Sequence, residues 1–190
     1  MINVTTDTTV IVKGLIPPRR KKRDAIYEEY LNLHRKAKNI LLKIESGIYK
    51  NHIPLIALIE TVCVVARLTN DYESVKLALS FVSQNSELYS DAYLLEKAMQ
   101  IGMRTKASGF DVVFMSCAEV TGSILITDDK GMYEKARDFG EVRCLYGGVQ
   151  TENYHRGLAC LLRVGMKTKG WLGDRGRSRV VLERGKEGIT

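Results

Sequence analysis

The chain is poor in the residues that build disulfide frameworks and soft-metal sites. Its four cysteines stand alone at positions 63, 117, 144 and 160, with no CxxC pair. That spacing excludes a zinc ribbon and argues against a disulfide scaffold. Cys63 and Cys117 sit among apolar neighbours and are expected to be free, buried thiols of a reducing compartment. Three histidines, His34, His52 and His155, show no ligand spacing and are expected to be surface or incidental residues. No GxxxxGKS or GxxxxGKT segment exists, which excludes a P-loop nucleotide site. No internal repeat is present. The longest apolar run, Ile53 to Ala66, is too short to span a bilayer and contains Pro54 and Glu60. Met1-Ile2-Asn3 leads straight into a strand-like segment, so no signal peptide is expected. A soluble cytoplasmic protein with no membrane partner is expected.

What is present is an ordinary globular composition, 45% hydrophobic and 27% charged, over 190 residues, enough for one domain with a real core. The net charge is +7. Such a balance suits a polyanionic partner, usually nucleic acid, although a basic protein that binds nothing acidic has the same composition. The charge is uneven. Residues 151–190 carry nine Lys and Arg against four Asp and Glu, whereas residues 1–150 carry 20 against 18. The other basic feature is the run Arg19, Arg20, Lys21, Lys22, Arg23. It reads either as a holder of RNA or as a solvated approach to a helix.

Periodicity alternates between strand and helix. Residues 2–6 and 9–13 are short and β-branched, so they predict a strand with Asp7 in it or at its end, broken by Gly14 and Pro17-Pro18. Apolar residues at spacings of three and four predict a helix from about Asp24 to Glu45. Pro54 is expected to open a helix from Leu55 to about Leu68. Further helices are expected over Tyr72 to Val82, Asp91 to Thr105, Phe110 to Val120 and Lys130 to Phe139, with strands at 86–89, 123–127 and 142–146. Strands separated by helices, without hairpin turns late in the chain, predict a parallel sheet with helices on its faces. Residues 151–190 hold seven glycines and little periodicity, which predicts a partly helical start and a disordered end.

Against this background several carboxylates are anomalous. Glu60 is the only charged residue from Ile53 to Ala66, and its neighbours one helical turn away are Ile56, Ala57, Cys63 and Val64. A buried carboxylate needs a cation, a proton or a metal. Arg67, two turns away at roughly 10 Å, is a poor partner. Asp111 shares its face with Phe114, Met115 and Ala118, and in the first turn of a helix it also serves as an ordinary N-terminal residue. Asp7 interrupts an apolar and threonine-rich strand, where acids are unfavourable. Asp128 and Asp129 follow the apolar Ile124-Leu125-Ile126, and one of them serves equally as a helix cap. Strand ends and helix starts meet at the carboxyl edge of a parallel sheet, where such folds bind ligands. Carboxylates gathered there repel one another, and a divalent cation removes the repulsion. An oxygen-only donor set selects Mg2+ or Mn2+ over zinc. A hard metal, an acidic cluster and basic flanks together point to phosphodiester hydrolysis. A haloacid-dehalogenase-like phosphatase fits less well, because Asp7-Thr8-Thr9 lacks the second aspartate.

Four pieces of the sequence resemble the PIN domain, the fold of VapC-type toxins and of several RNA-processing nucleases. They are Val4-Thr5-Thr6-Asp7-Thr8-Thr9-Val10, Ile59-Glu60, Ser108-Gly109-Phe110-Asp111-Val112-Val113, and Ile124-Leu125-Ile126-Thr127-Asp128-Asp129-Lys130. The resemblance covers about residues 1–146 and lies in the order and spacing of the pieces. It implies a three-layer α/β/α sandwich around a central parallel sheet, with catalytic and metal-binding acids at Asp7, Glu60, Asp111 and Asp129. Asp128 stands in the variable place of the Thr-x-Asp pattern as a further metal-ligand candidate. Thr9 and Thr127 would orient an acid or a water. The implied activity is Mg2+- or Mn2+-dependent endonucleolytic cleavage of single-stranded RNA, with a homodimer or an antitoxin protein as partner. Residues 1–148 would form the nuclease-like domain, with a basic helical insertion at about 17–51, and residues 149–190 a basic, glycine-rich extension. A toxin, an RNA-processing nuclease and a PIN-like module that binds RNA or a partner without cutting all suit these pieces.

Overall fold

A computed structural model describes residues 1–19 and 22–145. The chain runs β1 (Ile2–Thr6), α1 (Thr8–Leu15), α2 (Ala25–Glu45), β2 (Tyr49–Pro54), α3 (Ile56–Thr69), α4 (Tyr72–Asn85), β3 (Ser86–Tyr89), α5 (Asp91–Thr105), α6 (Gly109–Thr121), β4 (Ile124–Thr127), α7 (Lys130–Ala136) and β5 (Val142–Cys144). The five strands form one sheet in the order β3-β2-β1-β4-β5. Every pair is parallel, with Val4 opposite Asn51 on one side and Ile124 on the other. Parallel strands need crossover connections, and right-handed crossovers in this order place α1 to α4 on one face and α5 to α7 on the other. The result is the three-layer α/β/α sandwich.

Two expectations about local structure are corrected. The segment after Asp7 is not strand but helix α1, whose Val10, Ile11 and Val12 are buried. A short helix with an apolar side on the sheet carries the same β-branched run as a strand, so composition alone misassigns it. Pro54 does not open a helix; it closes β2, a strand that the mixed residues Tyr49-Lys50-Asn51-His52 do not announce. Asn51 and His52 in that strand are buried and bonded. Asn51 Oδ1 accepts from the Thr6 amide at 3.2 Å and from its hydroxyl at 3.0 Å, and Asn51 Nδ2 donates to Ser86 Oγ at 2.9 Å. His52 is likewise buried, between the Tyr89 hydroxyl at 3.1 Å and Asn3 Oδ1 at 3.3 Å. Cys63 is exposed, not buried; Cys117 and Cys144 are buried.

The stretch 17–51 holds α2 and the start of β2. α2 is part of the core, burying Leu33, Ala37, Ile40, Leu41 and Ile44. Asp24 caps it, accepting from the Tyr27 amide. Strand residues Val4, Ile53, Leu125 and Ile126 complete that core, and a smaller cluster of Val12, Val65 and Ala78 ties α1 to α3 and α4. The sequence-predicted end of the last strand at Tyr146 and the basic extension lie outside the described residues. Among the described residues no helix is long and apolar enough to cross a membrane.

Candidate active site

The topology selects the place. β1 feeds α1 on one face of the sheet and β4 feeds α7 on the other, so the two chains part directly beyond Thr6 and Thr127. In open α/β sheets such a divergence marks the crevice outside the carboxyl ends of the strands where ligands bind. Asp7 follows β1 and Asp128 and Asp129 follow β4, all at this switch point.

Asp7 is the residue before α1, with only 6% of its surface exposed. Its side chain makes no cap bond to the helix. Instead Oδ2 accepts from Thr9 Oγ1 at 2.6 Å and from Thr127 Oγ1 at 3.0 Å. Burial pushes its carboxyl above the ordinary carboxylate range, and the hydroxyl bonds pull it back only in part. Glu60 lies in the second turn of α3, half-buried, and its Oε2 accepts from Thr8 Oγ1 at 2.7 Å. Burial raises the Glu60 carboxyl most; the Thr8 bond lowers it, and the negative charges of Asp7 and Asp111 raise it further. The charges of two acids from other parts of the chain therefore reach Glu60. α3 itself is not packed all round, since Ile59 and Cys63 are exposed. Asp111 stands in the first turn of α6, which Ser108 caps by accepting from the Asp111 amide.

The acids after β4 are placed differently. Asp129 is the N-cap of α7, its Oδ1 accepting from the Met132 amide at 2.9 Å, while its own amide donates to Thr127 Oγ1 at 3.0 Å. Thr127 thus bridges Asp7 to the start of α7. Asp128 is buried and its Oδ2 is ion-paired with Lys13 Nζ. The other oxygen, Oδ1, is buried without a hydrogen-bond partner among the described residues. Burial lowers the Lys13 ammonium from its usual range, opposed by the charges of Asp7 and Cys144. Among the described residues no three acidic, imidazole or thiol groups form a cluster that would hold a metal ion as they stand.

Of the sequence-predicted residues, then, Asp7, Glu60 and Asp111 share one electrostatic neighbourhood, and Thr9 and Thr127 both serve Asp7. Asp129 is joined to the group through Thr127, and Asp128 is turned to a lysine. Thr8 and Lys13 escaped sequence reasoning. Thr8 is signalled only by its place after Asp7, and Lys13 by nothing local, since its partner lies 115 positions away. Arg19, the first residue of the basic run, is remote. Arg19 Nη1 donates to the carbonyls of Leu68 and Thr69 at the far end of α3. Lys22 and Arg23 are exposed ahead of α2, and Arg20 and Lys21 lie outside the described residues.

No curated protein matches the chain. Among solved structures, its fold is similar to a chain of VapBC2 from Rickettsia felis bound to a DNA fragment from their promoter. There the identity is 15% and the TM-score 0.51, over 75% of this chain and 98% of that one. It is also similar to a chain of DNA-bound VapBC from Salmonella typhimurium, at 13% identity and a TM-score of 0.52, over 76% and 99%. A third likeness is to FitAB bound to an IR36 DNA fragment, at 17% identity and a TM-score of 0.51, over 75% and 94%. The sequence matches the family model of the PIN domain over residues 4–138, which takes in all five strands but the last and every acid of the crevice. With sandwich, strand order and family match in agreement, the chain belongs to the PIN domain family.

Proposed function

We propose that the chain takes single-stranded RNA across the carboxyl edge of its sheet and hydrolyses its phosphodiester bonds as a Mg2+- or Mn2+-dependent endoribonuclease. The observation that carries this reading is the place of Glu60, a half-buried carboxylate bonded to Thr8 beside Asp7, where the charges of Asp7 and Asp111 both reach it. Acids held together against their own repulsion suit a site completed by a cation. The donors are oxygens only, which fits a hard divalent ion, and such an ion commonly keeps several waters and takes only one or two carboxylates directly. Asp7, Glu60 and Asp111 would hold it. When bound, it supplies Lewis acidity toward a phosphoryl oxygen. The chain's own part is positional. Thr9 and Thr127 fix the Asp7 carboxylate, and Thr8 fixes that of Glu60. Asp129, joined to the group through Thr127 and outside that ion-holding set, is the carboxylate left to accept the proton of an attacking water.

Glu60→Gln is expected to lower Mn2+-dependent cleavage of single-stranded RNA by roughly 10–100-fold, the scale of a damaged metal site. Circular dichroism should be unchanged. Equal cleavage by wild type and variant would refute the assignment.

A second reading asks less of the site: a PIN module that binds RNA or a partner and cuts weakly or not at all. Two observations favour it. Asp128 is neutralised by Lys13, and no ready cluster of three ligands exists among the described residues. Under either reading the likeness to VapBC and FitAB motivates an antitoxin-like protein as partner. Apolar side chains left exposed on α3 and α5, among them Ile59, Met99 and Met103, suit such a protein or a second copy of the chain. Co-expression with the product of a neighbouring small gene, followed by co-purification and loss of RNA cleavage, tests the toxin assignment.

A further inference from the structure

A polyanion lying across the crevice needs cations beside it, and the fold decides which cations those are. α1 and α3 both start at the carboxylate edge and run away from it. The end of α3 at Thr69, where Arg19 is bonded, is nine residues beyond Glu60, roughly 13 Å along the axis. The run that begins at Arg19 therefore starts at the opposite edge of the sheet. Lys13 is also on α1, but long helical side chains lean back toward the helix N-terminus. Its ammonium reaches Asp128, immediately after β4, and feels the charge of Asp7. Lys36, on α2, donates to Leu145 O at 3.1 Å, and the Leu145 amide donates to Thr127 O at 3.0 Å. Two lysines from two helices thus converge on the ends of β4 and β5, beside the threonine that holds Asp7. Both meet solvent: the Lys13 side chain is 32% exposed and Lys36 is an exposed residue.

We propose that single-stranded RNA enters the crevice over its β4–β5 side, that Lys13 and Lys36 take its phosphates there, and that Asp128 serves to position Lys13. The proposal deepens the RNA-acting reading above and rests on it for the identity of the polyanion. It moves the binding surface away from Arg19. It also gives the buried Asp128 carboxylate a role distinct from metal ligation, as a fixed anion that aims an ammonium into the crevice.

The test reads binding alone, with the full chain in EDTA, by anisotropy of a labelled single-stranded RNA across a salt series. Each lost phosphate contact on a single strand lowers the slope of log affinity against log salt by about 0.7. Lys36→Met, which breaks no buried pair, is expected to show one such step. The combined variant Lys13→Met/Asp128→Asn/Lys36→Met, which removes the buried pair together, is expected to show two, about 1.4 in all. Lys13→Arg should keep the wild-type slope. Arg19→Met should keep it as well. An unchanged slope for Lys36→Met, a loss confined to the Arg19 variant, or tighter binding of duplex DNA than of RNA would overturn the proposal. Wild type that binds with the expected slope yet never cuts RNA leaves this surface standing and removes only the hydrolytic reading. Wild type that binds no RNA removes the surface itself.

Discussion

Asp7 accepts two hydroxyl bonds on one oxygen and is still held above the ordinary carboxylate range, because burial outweighs them. Its folded state therefore binds a proton more tightly than its unfolded state. By linkage, this group contributes its full stability at low pH, and the contribution is lost as pH rises from the ordinary carboxylate value of 3.8 through the raised one. Glu60 acts in the same direction from its ordinary 4.5. Asp7→Asn keeps the acceptor oxygen for Thr9 and Thr127 and removes the charge. In EDTA at neutral pH it is expected to raise the thermal midpoint by roughly 2–4 °C, the shift that about 1 kcal/mol makes in a chain of this size, and to flatten the pH profile. Scanning calorimetry across pH checks it, and a lowered midpoint would mean that the hydroxyl bonds need the full negative charge. The acids themselves were legible in the sequence, since a carboxylate among apolar residues needs a reason. The hydroxyls that hold them were not, because threonine is equally at home in strands, caps and exposed turns. Lys13 is the harder case: nothing within ten residues of it speaks of Asp128.

At the scale of elements, α1 is what sequence reading misassigned, and its packing explains why it is helical. Gly14 lies where a Cβ would meet Leu41 Cδ1 at 2.5 Å and the Ala37 backbone carbonyl carbon at 3.2 Å. α1 and α2 can approach that closely only without a side chain at this position. The local β-branched preference of Thr8 to Val12 is overridden because the helix buries Val10 and Ile11 on the sheet and Val12 against α3 and α4. Gly14→Ala would push Leu41 off its rotamer and press on α2. It is expected to destabilise the domain by about 1–3 kcal/mol, as overpacking does. Urea unfolding should show a lower midpoint at unchanged slope. An unshifted midpoint would show that Leu41 swings aside freely, and that the close contact does not govern the packing of α1. The long amphipathic α2 and the glycine-stopped α6 were readable from spacing and caps. β2 was not, because its buried Asn51 and His52 look like solvent-facing residues until their partners on β1 and β3 are known.

For the molecule as a whole, the sheet order makes the site. Acids that lie between 7 and 129 in the chain become neighbours because β1 and β4 sit side by side and send their connections to opposite faces. Burial raises Asp7 and Glu60, and the charges of Asp7 and Asp111 add to it at Glu60, so a cation bound at this edge would stabilise the native state selectively. A divalent ion that binds the folded chain alone raises its stability by about 2.7 kcal/mol at a hundred times its Kd. Addition of Mn2+ at neutral pH is thus expected to raise the thermal midpoint of the wild type. It should do so far less in Glu60→Gln/Asp111→Asn, where two of the three repelling charges are gone. In the absence of metal the same double variant should already melt higher than the wild type, since the repulsion is relieved by substitution instead of by an ion. The two halves of this expectation bear on different claims. If the variant is stabilised without metal but the wild type ignores Mn2+, the carboxylates do repel but do not form an ion site, and the binding-module reading prevails. If neither shift is seen, the three acids do not share a neighbourhood in solution, and the convergence at the switch point has no energetic content.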